Sequence, residues 1–216
     1  MAYFSVARRK MVEEQLQERH VDDPRVLEVM CRIPRHEFVD PGMARQAYED
    51  RPLPIGFKQT ISQPFIVGFM TAALQLQGGE KVLEIGTGCG YQTAVLCELA
   101  SHVYSIERIT ELSNKARKNL YRLGYINFEL KIGDGTLGWP ERAPFDTILV
   151  TAGAPEVPAC YLQQLREGGR LVIPIGNEEE QVLVRFRREE KKMVKENLVG
   201  CRFVRLVGEH GWELEN

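Results

Sequence analysis

Three alternating glycines, Gly86, Gly88 and Gly90, directly follow an apolar run, and the acidic Glu84 stands two positions before the first of them. An apolar run that ends in glycines and continues into the sequence 92–96 predicts a strand, a tight turn and a helix. Glycine is needed where the backbone turns with positive φ or closely approaches a ligand. The pattern therefore indicates a Rossmann-like nucleotide site at the carboxyl end of a strand.

The glycine spacing and the nearby charges favour one class of nucleotide. Dinucleotide sites use G-x-G-x-x-G, whereas here Tyr91 occupies the position of the third glycine. A carboxylate at Glu84 is poorly placed for a pyrophosphate but suits a cationic ligand such as S-adenosylmethionine (SAM), which carries an ammonium and a sulfonium. Glu107 ends the next predicted strand about 20 residues after the glycines, where a carboxylate can bind both ribose hydroxyls. Taken together, these residues predict a SAM site.

Composition sets the broad class of the protein. The 216 residues are 44% hydrophobic and 27% charged, which is ordinary for one globular domain, and the net charge is −2 without a basic tail. We therefore expect no nucleic-acid partner. The five scattered cysteines form no C-x-x-C pair, so we expect reduced thiols in the cytoplasm and no metal site. No leader or membrane-length apolar run is visible, so no membrane association is expected.

Strands and helices alternate over the second part of the chain. Strands are predicted at 81–85, 103–106, 128–132, 146–150 and 170–175. Helices are predicted between them, at about 91–100, 110–123 and 158–165. This alternation predicts an α/β fold with a mostly parallel sheet. The strand-like stretches 181–187 and 202–207 predict that the sheet ends in antiparallel strands.

The first part of the chain differs, because residues up to about 48 show no strand signal. Asp23 and Pro24 form an N-cap and first-turn pair that predicts a helix over 25–33. The stretch 51–64 is predicted to be a structured loop, followed by a helix to about 76. We therefore expect a single domain over 1–216, with a helical N-terminal addition and loop at about 1–77 and a Rossmann-like core at about 78–216.

Several blocks resemble the protein-L-isoaspartate O-methyltransferase family. The most specific is Gln59-Thr60-Ile61-Ser62-Gln63-Pro64, since generic methyltransferases lack it. The other blocks are 48–56, 82–91, 103–108, 133–135, 143–146 and 150–155, so the resemblance covers nearly the whole chain. Cys89 departs from the serine that is frequent in the loop, and residues 208–216 match the family less clearly.

The resemblance implies a Rossmann-like, SAM-dependent enzyme that methylates the free α-carboxyl of L-isoaspartyl residues in damaged proteins and peptides. The ester then collapses to a succinimide, and hydrolysis returns some aspartate. The family's active-site serine falls on Ser62. Its cofactor contacts fall on Thr60, Ile61, Ser62, Gly86, Thr87, Gly88, Gly90, Glu107, Arg108, Asp134 and Gly135. We expect a monomer.

The residues themselves leave alternatives beside these roles. Ser62 could orient an acceptor carboxylate or cap the following helix, and the two roles are compatible. Asp134, in an Asp-Gly pair after a strand, could accept a hydrogen bond from an adenine amino group or simply form a turn. Thr151 to Pro155 follow a strand end and should line the cleft.

Three rival functions are open to the same residues. A methyltransferase for another acceptor, such as a small molecule, an amine or a nucleic acid, would keep the glycine loop. Amine and nucleic-acid enzymes usually carry an Asn/Asp-Pro-Pro-aromatic turn after the fourth strand, where this chain has Thr151-Ala152-Gly153-Ala154-Pro155. A nicotinamide oxidoreductase is disfavoured by the glycine spacing. A non-catalytic SAM-binding module would not need the block around Ser62.

Overall fold

A central seven-stranded sheet organises the protein, and the computed structural model describes residues 2–190 and 192–213. The strand order is β5-β4-β3-β6-β7-β8-β9. These strands are β3 Lys81–Ile85, β4 His102–Glu107, β5 Phe128–Ile132, β6 Phe145–Val150, β7 Leu165–Gly176, β8 Gln181–Glu189 and β9 Lys192–Cys201. β5, β4, β3, β6 and β7 run parallel, and β8 and β9 are antiparallel. The predicted α/β class is therefore confirmed.

Six α-helices surround this sheet in the described part of the chain. They are α1 Ala2–Met11, α2 Pro24–Arg32, α3 Pro64–Leu74, α4 Tyr91–Leu99, α5 Thr110–Arg122 and α6 Ala159–Gln164. Asp23 accepts hydrogen bonds from the amides of Arg25 and Val26, which confirms the predicted cap of α2. None of these helices is long and apolar enough to cross a membrane.

The strand order creates a switch point between β3 and β6. The chain proceeds from β3 outwards to β5, then returns to place β6 on the other side of β3. The loops that follow β3 and β6 consequently leave in opposite directions and open a crevice at the carboxyl ends of the strands. The glycine loop and Thr151 both lie at this crevice.

Successive side chains on the strands point to opposite faces of the sheet and pack into two hydrophobic cores. Val82, Val103 and Leu149 join the core beneath α1 to α5. Leu83, Ile106 and Ile148 point to the opposite face and join a core that contains Tyr161 of α6. Because both faces are covered, the parallel strands are buried on both sides, as such strands usually are. The sheet is therefore a rigid base for the loops at its carboxyl edge.

Two predictions about local structure are wrong. The stretch predicted as a loop contains an antiparallel hairpin, β1 Leu53–Gly56 and β2 Gln59–Ile61. The last strand is not 202–207 but β9, and residues 202–207 form only isolated bridges at Arg205 and Val207. Residues 202–207 instead cross the carboxyl edge of the sheet, where Leu206 donates its amide to Gly153 O at 2.8 Å.

Candidate functional site

Three adjoining cavities form a continuous cleft over the switch point. The largest, with a volume of about 730 Å³, lies between the β1–β2 hairpin and the C-terminal segment, and we call it the outer cavity. A second, inner cavity lies over the glycine loop, and a third lies beneath the hairpin. Thr60 and Thr151 line all three cavities. The cleft therefore joins the narrow space over the glycine loop to a wider outer cavity.

The glycine loop has the backbone that the sequence predicts. Gly86, Gly88 and Gly90 have φ values of 98°, 55° and 89°, in the left-handed region that favours glycine. A Cβ on Gly86 would lie 2.4 Å from Thr151 Oγ1, so the loop has no room for a side chain there. Gly86 and Gly88 line the inner cavity, Thr87 lines the third, and Gly90 lies at the start of α4 outside all three cavities. The loop thus presents bare backbone to the cleft.

Glu107 lies at the end of β4, as predicted, and faces the inner cavity beside Arg108. Its Oε2 accepts a hydrogen bond from the Gly88 amide at 2.9 Å, and its Oε1 accepts one from the Ile109 amide at 3.0 Å. These bonds fix the carboxylate while leaving lone pairs on both oxygens. A fixed carboxylate beside bare backbone is suited to binding a pair of sugar hydroxyls.

Glu84 lies below the glycine loop rather than in the cleft, and none of the three cavities contacts it. It is completely buried, and its Oε2 accepts 2.6 Å hydrogen bonds from the hydroxyls of Thr93 and Ser105. Ser105 also shares a 2.6 Å hydrogen bond with the Thr87 hydroxyl. Burial raises the pKa of Glu84 to about 8. The residue therefore supports the loop through Ser105 and Thr87, and direct contact with a cofactor stays a prediction.

Ser62 lies between the hairpin and α3, where it lines both the outer cavity and the cavity beneath the hairpin. The cap of α3 is Gln63, whose side chain makes no capping hydrogen bond, so Ser62 is not the helix cap. Its hydroxyl makes no hydrogen bond to another described residue. Thr60 and Ile61, on β2, line the cleft beside it. The hairpin therefore presents a free hydroxyl to the place where the cavities meet.

The Asp134 carboxylate, which was predicted to accept a hydrogen bond from an adenine amino group, is bonded to groups of the protein itself. Its Oδ1 accepts hydrogen bonds from the amide and hydroxyl of Thr136, and its Oδ2 accepts one from the amide of Glu209. It is therefore the cap of a short helical turn and an anchor for the C-terminal segment, and it lines none of the three cavities. Gly135, its neighbour, does line the inner cavity.

The C-terminal segment, residues 202–213, is a part of the site that was not predicted from the sequence. Val204 to Val207 line the inner cavity, and Arg202 and Glu213 line the outer one. Trp212 holds the segment in place, because its indole Nε1 donates to Gly153 O at 3.0 Å. The main chain of Gly153 binds the segment on both sides, donating to Val204 O and accepting from the Leu206 amide, both at 2.8 Å. The segment therefore forms one wall of the cleft.

The family model for protein-L-isoaspartate(D-aspartate) O-methyltransferase matches residues 6–211 of this chain. Among curated relatives, the protein-L-isoaspartate O-methyltransferase of Geobacter metallireducens is 58% identical over 98% of this chain and 99% of its own length. That of Syntrophus aciditrophicus is also 58% identical, over 98% of this chain and 99% of its own length.

Solved structures show the same similarity in three dimensions. A structure named protein-L-isoaspartate O-methyltransferase superposes with a TM-score of 0.83 at 31% identity, covering 94% of this chain and 67% of that one. A Plasmodium falciparum structure named for the same activity, in complex with S-adenosyl-L-homocysteine, gives a TM-score of 0.80 at 26% identity and covers 93% of this chain and 98% of that one.

Proposed function

The chain belongs to the protein-L-isoaspartate(D-aspartate) O-methyltransferase family, and from this premise we propose how its residues carry out the reaction. The activity is SAM-dependent methylation of the free α-carboxyl of L-isoaspartyl residues in damaged proteins and peptides. The observation that carries the residue-level proposal is the position of Ser62, at the junction between the outer cavity and the cavity beneath the hairpin. Ser62 is proposed to bind the acceptor carboxylate there.

The residues of the inner cavity fit SAM. Gly86, Gly88 and Gly135 allow close approach to the backbone, and an added Cβ on Gly135 would lie 2.6 Å from Ile85. Glu107 is proposed to hold the ribose hydroxyls, while Ile106 and Leu206 supply apolar surface for an adenine ring. When bound, SAM supplies an electrophilic methyl group on a sulfonium that is already a good leaving group. Arg108, Thr60 and Ile61 are proposed as further contacts.

The acceptor needs orientation rather than activation. A carboxylate has a pKa near 4, so it is ionised at neutral pH and needs no general base. The Ser62 hydroxyl is proposed to donate a hydrogen bond to one carboxylate oxygen, which turns the other oxygen towards the methyl group. The hairpin and the C-terminal segment line this junction, and they are proposed to exclude water from it once a peptide fills the outer cavity. Positioning and exclusion of water are then the main contributions of the protein.

Substrate entry is proposed through the outer cavity. Lys58, Arg108 and Arg202 line it, and this cationic surface suits an anionic isoaspartyl group. Glu178 and Glu213 line the same cavity, and Arg205 forms a 3.2 Å ion pair with Glu178. Among the described residues, the cations of this cavity without an ion pair thus come from the hairpin turn, the end of β4 and the start of the C-terminal segment.

Transfer of labelled methyl from SAM to two peptides of identical composition tests this function. One peptide contains L-isoaspartate and the other L-aspartate at the same position. We expect label on the isoaspartyl peptide alone, and its release as methanol in mild base identifies an ester. Label on neither peptide, with SAM binding intact, would assign the site to another acceptor or to a binding module.

We also propose that the chain acts as a single-domain monomer in the cytoplasm, without nucleic acid or membrane. The net charge of −2 and the lack of a basic tail support the part of this proposal that concerns nucleic acid. Light scattering of the purified protein tests the oligomeric state, and a mass of about twice 24.7 kDa would contradict it.

A further inference from the structure

Arg35 is a buried cation that the proposed reaction does not use. It begins the short 3₁₀ helix Arg35–Phe38 after α2 and has no exposed surface. Among the residues that the structure describes, no carboxylate lies within ion-pair distance, and the titratable side chains that interact with its charge are those of Tyr91, Cys89 and Tyr48. Burial lowers the pKa of this guanidinium. Burying a charge without a counterion is costly. The burial of Arg35 therefore points to a structure that its guanidinium holds in place.

The guanidinium joins two distant points of the main chain. Its Nε donates to Ala47 O at 2.7 Å, and its Nη2 donates to Ser62 O at 2.6 Å. The group also lies 4.9 Å from the centroid of the Tyr91 ring. Ala47 and Ser62 flank the segment 48–61, which contains the β1–β2 hairpin. One planar side chain therefore ties both ends of the hairpin segment together from inside the protein.

The bond to Ser62 leaves the reactive part of that residue free. Arg35 binds the carbonyl oxygen, so it fixes the main chain from which the Ser62 side chain projects, while the hydroxyl stays available to the cleft. At the Ala47 end of the segment, the part-buried side chain of Gln15 also donates to Tyr48 O at 2.8 Å. The side-chain bonds at Asp50 use exposed groups, namely the Arg19–Asp50 ion pair and a 3.1 Å bond from Gln63 to Asp50 O. Exposed bonds of this kind contribute little rigidity, so Arg35 is the buried anchor.

We infer that Arg35 is a positioning residue for methyl transfer. By clamping the carbonyls of Ala47 and Ser62, it fixes the base of the hairpin and with it the Ser62 hydroxyl. The inference rests on the role proposed for Ser62. Errors of about 1 Å in the placement of a reacting group can reduce a rate about a hundredfold, so an anchor at this point has a large effect on turnover.

Kinetics of Arg35→Met and Arg35→Lys test the inference. We expect Arg35→Met to lower kcat for an isoaspartyl peptide roughly tenfold or more, with the Kd of SAM changed less than about threefold. Arg35→Lys keeps the charge but not the planar guanidinium, so its kcat should be close to that of Arg35→Met. Val29→Ala, a buried truncation on the neighbouring α2, is the control for lost stability and should retain kcat. Full recovery by lysine, or an equal loss in Val29→Ala, would overturn the inference.

A double variant and hydrogen exchange separate this inference from the role of Ser62. If Arg35 acts through Ser62, the double variant should have nearly the same kcat as Ser62→Ala alone. A kcat loss in the double variant equal to the product of the two single losses would show that the two residues act independently. Amide exchange over 48–62 should become faster in Arg35→Met but not in Val29→Ala. If Ser62→Ala alone keeps full kcat, the proposed role of Ser62 fails, while unchanged exchange over 48–62 would independently refute the clamp.

Discussion

The backbone amide of Gly88 donates a 2.9 Å hydrogen bond to the carboxylate of Glu107, which joins the glycine loop to the end of the next strand. The two residues lie 19 positions apart in the chain. Each therefore positions the other: the carboxylate holds the loop, and the loop amide fixes the carboxylate. Both residues line the inner cavity, so substitution of Glu107 is a direct test of cofactor binding.

We predict that Glu107→Ala weakens SAM binding about tenfold or more, because hydrogen bonds to a charged group contribute about 1.5–3 kcal/mol each. Titration calorimetry measures the change. Glu111→Ala, which removes an exposed carboxylate in the first turn of α5, is the control and should bind SAM normally. Unaltered affinity in Glu107→Ala would remove this residue from the site.

Ser62→Ala should lower kcat for the isoaspartyl peptide roughly tenfold or more, because the oriented hydrogen bond to the acceptor is lost. The Kd of SAM should change much less. Ser62→Thr keeps a hydroxyl and should recover part of the rate. Steady-state kinetics with the labelled peptide provide the measurement, and a wild-type kcat in Ser62→Ala would be evidence against the role.

The hairpin turn offers a prediction about stability. Phe57 and Lys58 have φ values of 54° and 57°, which are unfavourable for residues with a side chain. Lys58→Gly should therefore stabilise the fold by about 1 kcal/mol, measured from urea unfolding. Lys58→Ala removes the same charge but keeps the strained backbone, so it should bring no such gain. A Lys58→Gly variant that is no more stable than Lys58→Ala would contradict the prediction that the left-handed backbone at this position is costly.

Glu84 predicts a dependence of stability on pH. Burial raises its pKa in the folded state to about 8, above the value near 4.5 in the unfolded chain, so the folded protein holds a proton that the unfolded chain has released. The contribution of Glu84 to the free energy of unfolding is fully present below about pH 4.5 and is lost as pH rises towards about 8. Glu84→Gln, which resembles the protonated acid, should therefore be increasingly more stable than wild type from pH 5 to pH 8.

Urea unfolding of both proteins across this range provides that measurement. Glu156→Gln, which neutralises an exposed carboxylate, is the control and should show no such trend. A constant difference between wild type and Glu84→Gln would mean that Glu84 is ionised in the folded protein throughout the range.

The C-terminal segment should contribute to SAM binding through Trp212. Trp212→Ala removes both the ring and the 3.0 Å bond to Gly153 O, so residues 204–207 should move away from the inner cavity and SAM affinity should fall severalfold. Trp212→Phe loses only the hydrogen bond and should show a smaller effect. Affinity equal to wild type in Trp212→Ala would mean that the segment is held without this residue.

The sequence by itself determined the elements that depend on local spacing. The strand, glycine turn and helix over 81–99 could be predicted because periodicity and glycine placement act within a few residues. The Asp23 cap was predicted for the same reason. The family resemblance supplied the function and the position of Ser62, which periodicity could not. Glu107 was found because a strand end places its last side chain at the carboxyl edge of the sheet.

Only the tertiary structure decided which polar groups meet across the chain. The β1–β2 hairpin was missed because its turn uses Phe57 and Lys58 where glycine or asparagine normally gives the signal. β9 was misplaced because most of its residues are exposed and do not alternate. Arg35 would be assigned to the surface from its type alone, since the two carbonyls that hold it lie 12 and 27 residues away. Such contacts arise from packing between elements, for which neighbouring residues carry no signal.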